Sequence, residues 1–200
     1  LKISTNKLGI DIYDVIKVAS TKPFGFQKFY PGPGTGGHCI PIDPIYFSWL
    51  SKKKGVTSKF IELSTKVNQV RTKWITKKIQ SIANKLENPK ILLIGLSYKK
   101  NIEDTRESAS LKILEALLKN KFLIDYCDPY NNKILLNSNN KKKYLFSKKF
   151  ENSLIKKYDL IVIATDHDKY DYNAIKNSKK IIVDLRGRYK NLKSKYIYQL

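Results

Sequence analysis

A single cysteine, Cys39, stands inside the stretch Phe29 to Asp43, among four glycines and three prolines. Prolines fix φ while glycines admit positive φ and close backbone approach, so this segment forms neither a regular helix nor a regular strand. A shaped loop that brings backbone N–H groups near a ligand and then presents a thiol suits nucleophilic chemistry. Asp43-Pro44 follows, an N-cap candidate before an N1 proline. The spacing therefore predicts a helix running from there through Tyr46, Phe47, Trp49 and Leu50 to a stop at Gly55. Its positive N-terminal end would favour a thiolate at Cys39. A buried packing cysteine is the rival expectation. His38 is expected to be structural or a hydrogen-bond partner of whatever the loop covers, rather than a metal ligand; no second His or Cys lies at metal-ligand spacing.

Other elements must position that loop. Asp11 caps an expected helix through Ile12, Val15, Ile16 and Ala19, closed by Thr21-Lys22-Pro23, and the opening residues already belong to an element. The aromatics of Phe24 to Tyr30 either wall a pocket or join the core. From Ser58 to about Asn84, Phe60, Leu63, Val67, Val70, Trp74, Ile75, Ile79 and Ile82 recur at threes and fours without Gly or Pro. That is one amphipathic helix of roughly seven turns, long enough to bridge domains or pair subunits.

After the linker around Pro89, Ile91 to Leu96 reads as a buried strand. A loop to Ser110, a helix through Leu111 to Leu118 and a strand at Phe122 to Tyr126 complete a βαβ unit. Lys133 to Phe150 is Lys/Asn-rich and is expected to be a short helix with a mobile loop. Tyr158 to Thr165 is a third strand, Tyr172 to Lys176 a short helix and Ile181 to Asp184 a fourth strand. Alternating strands and helices predict an open parallel sheet with ligands at the carboxyl ends. Those ends carry Tyr98-Lys99-Lys100, Asp128-Pro129-Tyr130, Thr165-Asp166-His167 and Arg186-Gly187-Arg188. Gly95-Leu96-Ser97-Tyr98 lacks the G-x-G-x-x-G turn, which makes the sheet a poor dinucleotide site. It suits another anion, with Lys99 and Arg186 as counter-charges. Cys127 is expected to be inert; Lys100, Arg188 and His167 are expected on the solvated surface.

The formal charge of +22 on 200 residues invites a nucleic-acid reading. Only four of the basic residues are arginines and the lysines are scattered, with abundant Asn, Ile and Tyr, which argues against it. No apolar run spans a bilayer and no signal-peptide order opens the chain, so a cytoplasmic location with reduced thiols is expected. The chain contains no methionine and is expected to be a fragment.

Taken together, PGPGTGGHCIPID (Pro31 to Asp43), GLSYKKNIEDTRESAS (Gly95 to Ser110), YCDPY (Tyr126 to Tyr130), Thr165-Asp166-His167 and VDLR (Val183 to Arg186) resemble the UDP-glucose/GDP-mannose dehydrogenase family. The GGHCIPID form looks more like the UDP-N-acetylglucosamine or UDP-N-acetylmannosamine branch than the UDP-glucose branch, which usually has GGSCFPKD. The resemblance implies an α/β fold. Residues 1–88 would be a partial helical central domain that dimerises through the helix of residues 58–84, and residues 89–200 a Rossmann-like UDP-sugar-binding domain. An N-terminal NAD-binding Rossmann domain would be missing, leaving the fragment inactive alone. The implied activity is NAD-dependent four-electron oxidation of a C6 hydroxyl to the uronic acid, supplying surface polysaccharide precursors. UDP-glucose as substrate and a UDP-sugar binding module without oxidoreductase activity are the alternatives. By the same resemblance Cys39 is the nucleophile and Asp43 orients the hydrolytic water. Tyr30, Pro31, Gly32, Pro33, Gly34, Thr35 and Gly36 cover the substrate, Tyr98, Lys99 and Arg186 contact it, and Arg106 reaches the NAD. Ile42 stands where the UDP-glucose enzymes have lysine, and Pro23 near where they have an arginine lent by the neighbouring subunit.

Overall fold

The computed structural model describes residues 1–138, 141–192 and 194–200. Helices come first: α1 (Lys2–Lys7), α2 (Ile12–Ala19), α3 (Asp43–Lys53) and α4 (Lys59–Ala83). Asp11 caps α2 as its sequence predicts, its Oδ1 accepting the Tyr13 N–H at 2.9 Å. The 25 residues of α4 span about 37 Å at 1.5 Å per residue. Its bounds fall within one residue of those the apolar period predicts, because nothing between Ser58 and Asn84 interrupts that period.

The second half is a five-stranded parallel sheet of order β2-β1-β5-β6-β7. Its strands are β1 (Lys90–Ile94), β2 (Leu123–Cys127), β5 (Leu160–Ile163), β6 (Ile181–Asp184) and β7 (Ile197–Gln199). Between them lie α5 (Ala109–Lys119), the hairpin β3 (Lys133–Ser138) and β4 (Lys141–Phe146), α6 (Asn152–Lys156) and α7 (Tyr172–Asn177). Side chains alternate across the sheet as the two-residue period of strands requires. Ile91, Leu93, Leu160 and Val162 pack with Ile75, Ile79 and Ile82 of α4 and Ile113, Leu114 and Leu117 of α5. Leu92, Ile94, Ile161 and Ile163 face the other way, onto Ile155 of α6 and Ile175 of α7. Both faces of the sheet are covered, which explains the continuous apolar runs of its strands.

Only the C-terminal half of α4 is covered in this way. Phe60, Leu63, Val67 and Val70 lie on the N-terminal half and are exposed, Phe60 at 83%.

Three expectations need correction. The segment from Lys133 to Phe150 is an antiparallel hairpin rather than a short helix and loop. Ile134, Leu136 and Leu145 alternate inward against the core; the tip, residues 139–140, lies outside the described residues. α3 begins at Asp43 itself, with Ile42 in the cap position and no side-chain cap. The Asp43 carboxylate instead meets His38, Nδ1 to Oδ1 at 3.0 Å. The aromatics Phe24, Phe26, Phe29 and Tyr30 are exposed, which removes the core alternative for them. α6 and β7, at five and three residues, are too short to show a period in the sequence.

Candidate functional site

The glycine loop lies across α4 and is tied to it by its backbone. The Thr35 N–H donates to Asn68 Oδ1 at 2.9 Å, and Asn68 Nδ2 donates back to the Thr35 carbonyl at 3.4 Å. Thr72 Oγ1 donates to the Pro33 carbonyl and Arg71 Nε to the Gly32 carbonyl, each at 3.1 Å. Asn68, Arg71 and Thr72 stand at i, i+3 and i+4, so one helix face presents all three. Sequence reasoning does not single them out. The available signal is that spacing of polar groups, beside one of the chain's few arginines.

Arg71 reaches the loop from an enclosed position. Burial pushes its guanidinium down to about 10, and Nη1 and Nη2 find no hydrogen-bond partner among the described residues. Its charge lies 5.2 Å from the centroid of the Trp74 ring.

From the other side, the loop meets the carboxyl ends of the sheet. A Cβ at Gly36 would lie 2.5 Å from Tyr98 Cβ and 3.1 Å from the Glu107 carbonyl, so only glycine permits this approach. The Gly37 N–H donates to the Arg106 carbonyl at 2.9 Å. Gly32 sits against Arg186, whose Nη1 would be 2.9 Å from an added Cβ. Arg186 is itself aimed by Asp166, which accepts from its Nε at 3.0 Å. Tyr30 stacks on Tyr13 of α2 with centroids 6.0 Å apart, and Lys190 Nζ lies 5.0 Å from the Tyr30 ring. The structure thus brings the loop of residues 30–37 together with Tyr98, Arg106 and Arg186; Lys99 follows Tyr98 and points to solvent.

Cys39 is exposed in the turn between Gly37 and α3, which overturns the buried packing alternative. Asp43 and His38, paired at 3.0 Å, are each about half exposed. Arg106 is exposed and forked onto Asp104, Nε at 3.0 and 3.1 Å and Nη2 at 2.6 Å. Those bonds, and to a lesser degree the charges of Tyr98 and Cys39, hold its guanidinium above the ordinary value. Cys127 is buried and its thiol is pushed up to about 11, chiefly by that burial, in keeping with an inert role.

The glycine turn after β1 does not fit a dinucleotide. The amides of Leu96 and Ser97, where a pyrophosphate would bind, donate to Asp128 Oδ2 at 2.6 and 3.2 Å. A Cβ at Gly95 would lie 2.2 Å from the Thr165 carbonyl oxygen, so the turn is already filled by protein.

His167 is the clearest departure from expectation. It is not on the surface but 0% exposed, with Nε2 3.2 Å from Asp128 Oδ2 and Nδ1 accepting the Asn101 N–H at 2.9 Å. Each ring nitrogen finds a partner inside, so burial leaves no polar atom wanting. Lys100, paired with Asp168 at 3.3 Å, and Arg188, over the Tyr172 ring, remain on the surface.

Comparison with known proteins adds a second kind of observation. The profile of the UDP-glucose/GDP-mannose dehydrogenase family, central domain, matches residues 1–70, and that of its UDP binding domain matches residues 92–191. The UDP-N-acetyl-D-mannosamine dehydrogenase of Methanococcus maripaludis is 36% identical over 181 residues, covering 90% of this chain and 38% of that protein. The NDP-N-acetyl-D-galactosaminuronic acid dehydrogenase of Ralstonia solanacearum is 25% identical, covering 94% of this chain and 43% of its own length. Among solved structures, the UDP-D-ManNAc dehydrogenase of Pyrococcus horikoshii superposes with a TM-score of 0.77 at 25% identity, over 98% of this chain and 45% of that one. The chain therefore spans about two fifths of the length of the curated relatives it matches.

Proposed function

The chain belongs to the UDP-glucose/GDP-mannose dehydrogenase family, and on that premise we propose that it forms the sugar-oxidising part of a UDP-N-acetylhexosamine 6-dehydrogenase. The observation that carries the proposal is the convergence of an exposed cysteine turn, a clamped glycine loop and Tyr98, Arg106 and Arg186 on one side of the strand ends. A plain connector would need neither the clamps from α4 nor the close glycine packing on Tyr98.

In this proposal Tyr30 to Gly36 cover the nucleotide sugar, while Tyr98, Lys99 and Arg186 hold its nucleotide and phosphates. Arg106 would contact NAD, which when bound would accept the hydride of each oxidation. The Cys39 thiolate adds to the C6 aldehyde once the alcohol has lost a hydride and a proton. The thiohemiacetal so formed loses a second hydride and a proton to become a thioester. Water, oriented by the Asp43 carboxylate, then opens the thioester, releasing the carboxylic acid and regenerating the thiol. His38 Nδ1 lies 3.0 Å from Asp43 Oδ1, which places the imidazole beside that carboxylate. The N-acetylhexosamine is preferred over glucose because of the GGHCIPID loop and the names of the relatives.

Titration of the chain with UDP tests the binding half of the proposal: saturable binding is expected, lost on Arg186→Ala. Binding without NAD reduction, once a dinucleotide-binding domain is supplied, would favour a UDP-sugar binding module instead.

The exposed half of α4 supports pairing of two copies. Phe60, Leu63, Val67 and Val70 form a row at helical spacing with no cover from the rest of the described chain, beside exposed Phe47 and Leu50 of α3. A Val67→Asp substitution is expected to weaken the homodimer about tenfold or more, since it would bury a charge without a partner. Sedimentation velocity reads the shift, and a monomeric unaltered chain would count against the pairing. A cytoplasmic location is proposed with it, in keeping with the free thiols of Cys39 and Cys127.

A further inference from the structure

The loop between β1 and the start of α5 carries Tyr98 and Lys99, and it is closed on itself by the Tyr98 N–H, which donates to the Asp104 carbonyl at 3.0 Å, and by Ser97 Oγ, which donates to the Ile102 carbonyl at 2.6 Å. Two tethers from outside the loop fix where it sits. At its beginning, Asp128 Oδ2 accepts the N–H groups of Leu96 and Ser97. Three residues beyond Tyr98, His167 Nδ1 accepts the N–H of Asn101 at 2.9 Å. Because that nitrogen accepts, it bears no proton. The ring proton therefore sits on Nε2 and is donated to Asp128 Oδ2 at 3.2 Å. The other carboxylate oxygen takes the N–H groups of Tyr130 and Asn131, both at 2.9 Å. One imidazole thus links the segment after β5, the end of β2 and the loop after β1.

Asn101 is held at more than its amide. Its φ is +62°, in the left-handed region that asparagine adopts more readily than other residues with a side chain. Its side chain is held as well, Nδ2 donating to Asp168 Oδ2 at 2.5 Å and Oδ1 accepting the Asp168 N–H at 3.0 Å. His167 is packed between the Tyr130 and Tyr170 rings, at 5.1 and 5.9 Å. Complete burial and two committed nitrogens exclude it as a proton donor or acceptor for a ligand.

We propose that His167 is a positioning residue for the nucleotide end of the site, setting Tyr98 and Lys99 through its bond to the Asn101 amide. The inference rests on the proposed contact of Tyr98 and Lys99 with the nucleotide sugar. Two substitutions separate the bond to the loop from the bond to the carboxylate. In His167→Asn, Oδ1 can replace Nδ1 as acceptor for Asn101 while the donor to Asp128 is lost. In His167→Gln, Nε2 can replace the imidazole donor to Asp128 while the acceptor for Asn101 is lost.

Titration of the 200-residue chain with UDP is expected to show about tenfold weaker binding for His167→Gln and a change of less than about threefold for His167→Asn. Equal binding by His167→Gln and the unaltered chain would overturn the proposal. So would losses in both variants that follow their thermal midpoints, which is the pattern of a merely structural residue. Amide exchange of the unaltered chain supplies a readout that needs no variant. Asn101 is exposed, yet its N–H is expected to exchange about a hundredfold more slowly than an unbonded loop amide, and unprotected exchange would overturn the tether. Lys99→Gln separates the two ideas. If it leaves UDP affinity unchanged, or if the unaltered chain binds no UDP, the nucleotide reading fails, while the Asn101 exchange still decides whether His167 holds the loop.

Discussion

Cys39→Ala is expected to abolish uronic acid formation by the enzyme, assayed with a dinucleotide-binding domain supplied, while leaving UDP binding within about twofold. The loss should be on the order of 10⁴-fold, as for removal of a covalent nucleophile whose role no neighbour can take over. Without the thiol an aldehyde can form but cannot be held as a thiohemiacetal, so the second oxidation has no substrate. Uronate is read directly by chromatography, and the aldehyde by trapping with a hydrazine. The position of the thiol makes an independent check available. Cys39 is exposed, whereas Cys127 is buried with its thiol pushed up to about 11. Iodoacetamide at pH 8 should therefore modify Cys39 alone, and UDP-sugar should slow that reaction by covering the loop. Sustained uronate formation by Cys39→Ala, or inhibition that tracks modification of Cys127, would remove Cys39 from the mechanism.

Asp128→Ala carries the largest expected effect on the fold. Asp128 is 2% exposed, and its oxygens take the N–H groups of Leu96, Ser97, Tyr130 and Asn131 besides His167 Nε2. Removing the carboxylate leaves these donors buried without their acceptor, at a cost of about 3–5 kcal/mol, enough to consume much of the stability of a domain this size. Urea denaturation at pH 7 measures it, and a loss below about 1 kcal/mol would show that the network can rearrange. Acid gives the same group a second signature. Burial alone would push its carboxyl up, but hydrogen bonds from His167 and from the Leu96 and Tyr130 amides outweigh that and hold it well below its ordinary 3.8. A group depressed on folding contributes stability that is fully present above its unfolded value. That contribution falls away as pH drops below about 3.8 toward the lower folded value. Asp128→Asn should flatten the decline in this acid window, while the unaltered chain shows it.

These two residues differ in how far the sequence announces them. Cys39 is legible because glycine and proline are informative wherever they cluster, and a thiol among them has few structural uses. Asp128 and His167 sit in short polar runs, Tyr126 to Tyr130 and Thr165 to Asp168, that read as strand-end surface. His167 is drawn inside by Asp128 and Asn101, 39 and 66 residues away. No local pattern encodes partners at that separation. Asn68, Arg71 and Thr72 are a similar case: α4 is predicted almost to the residue, but its polar face gains meaning only when the loop of residues 32–35 lies on it. The hairpin from Lys133 to Phe146 is misread for another reason, since its many Lys and Asn residues mask the inward alternation of Ile134 and Leu136.

By itself the amino-acid sequence determined the helices with uninterrupted period, the parallel strands with their unbroken apolar runs, the shaped cysteine loop and the family resemblance. All of these rest on local chemistry, where neighbouring residues settle backbone preference and burial. Only the tertiary structure decided which polar residues are satisfied inside, what clamps the loop onto α4, and which half of α4 is left uncovered. Those outcomes depend on partners brought together by chain folding, and a hydrogen bond or a covering surface exists only once both sides of it are in place.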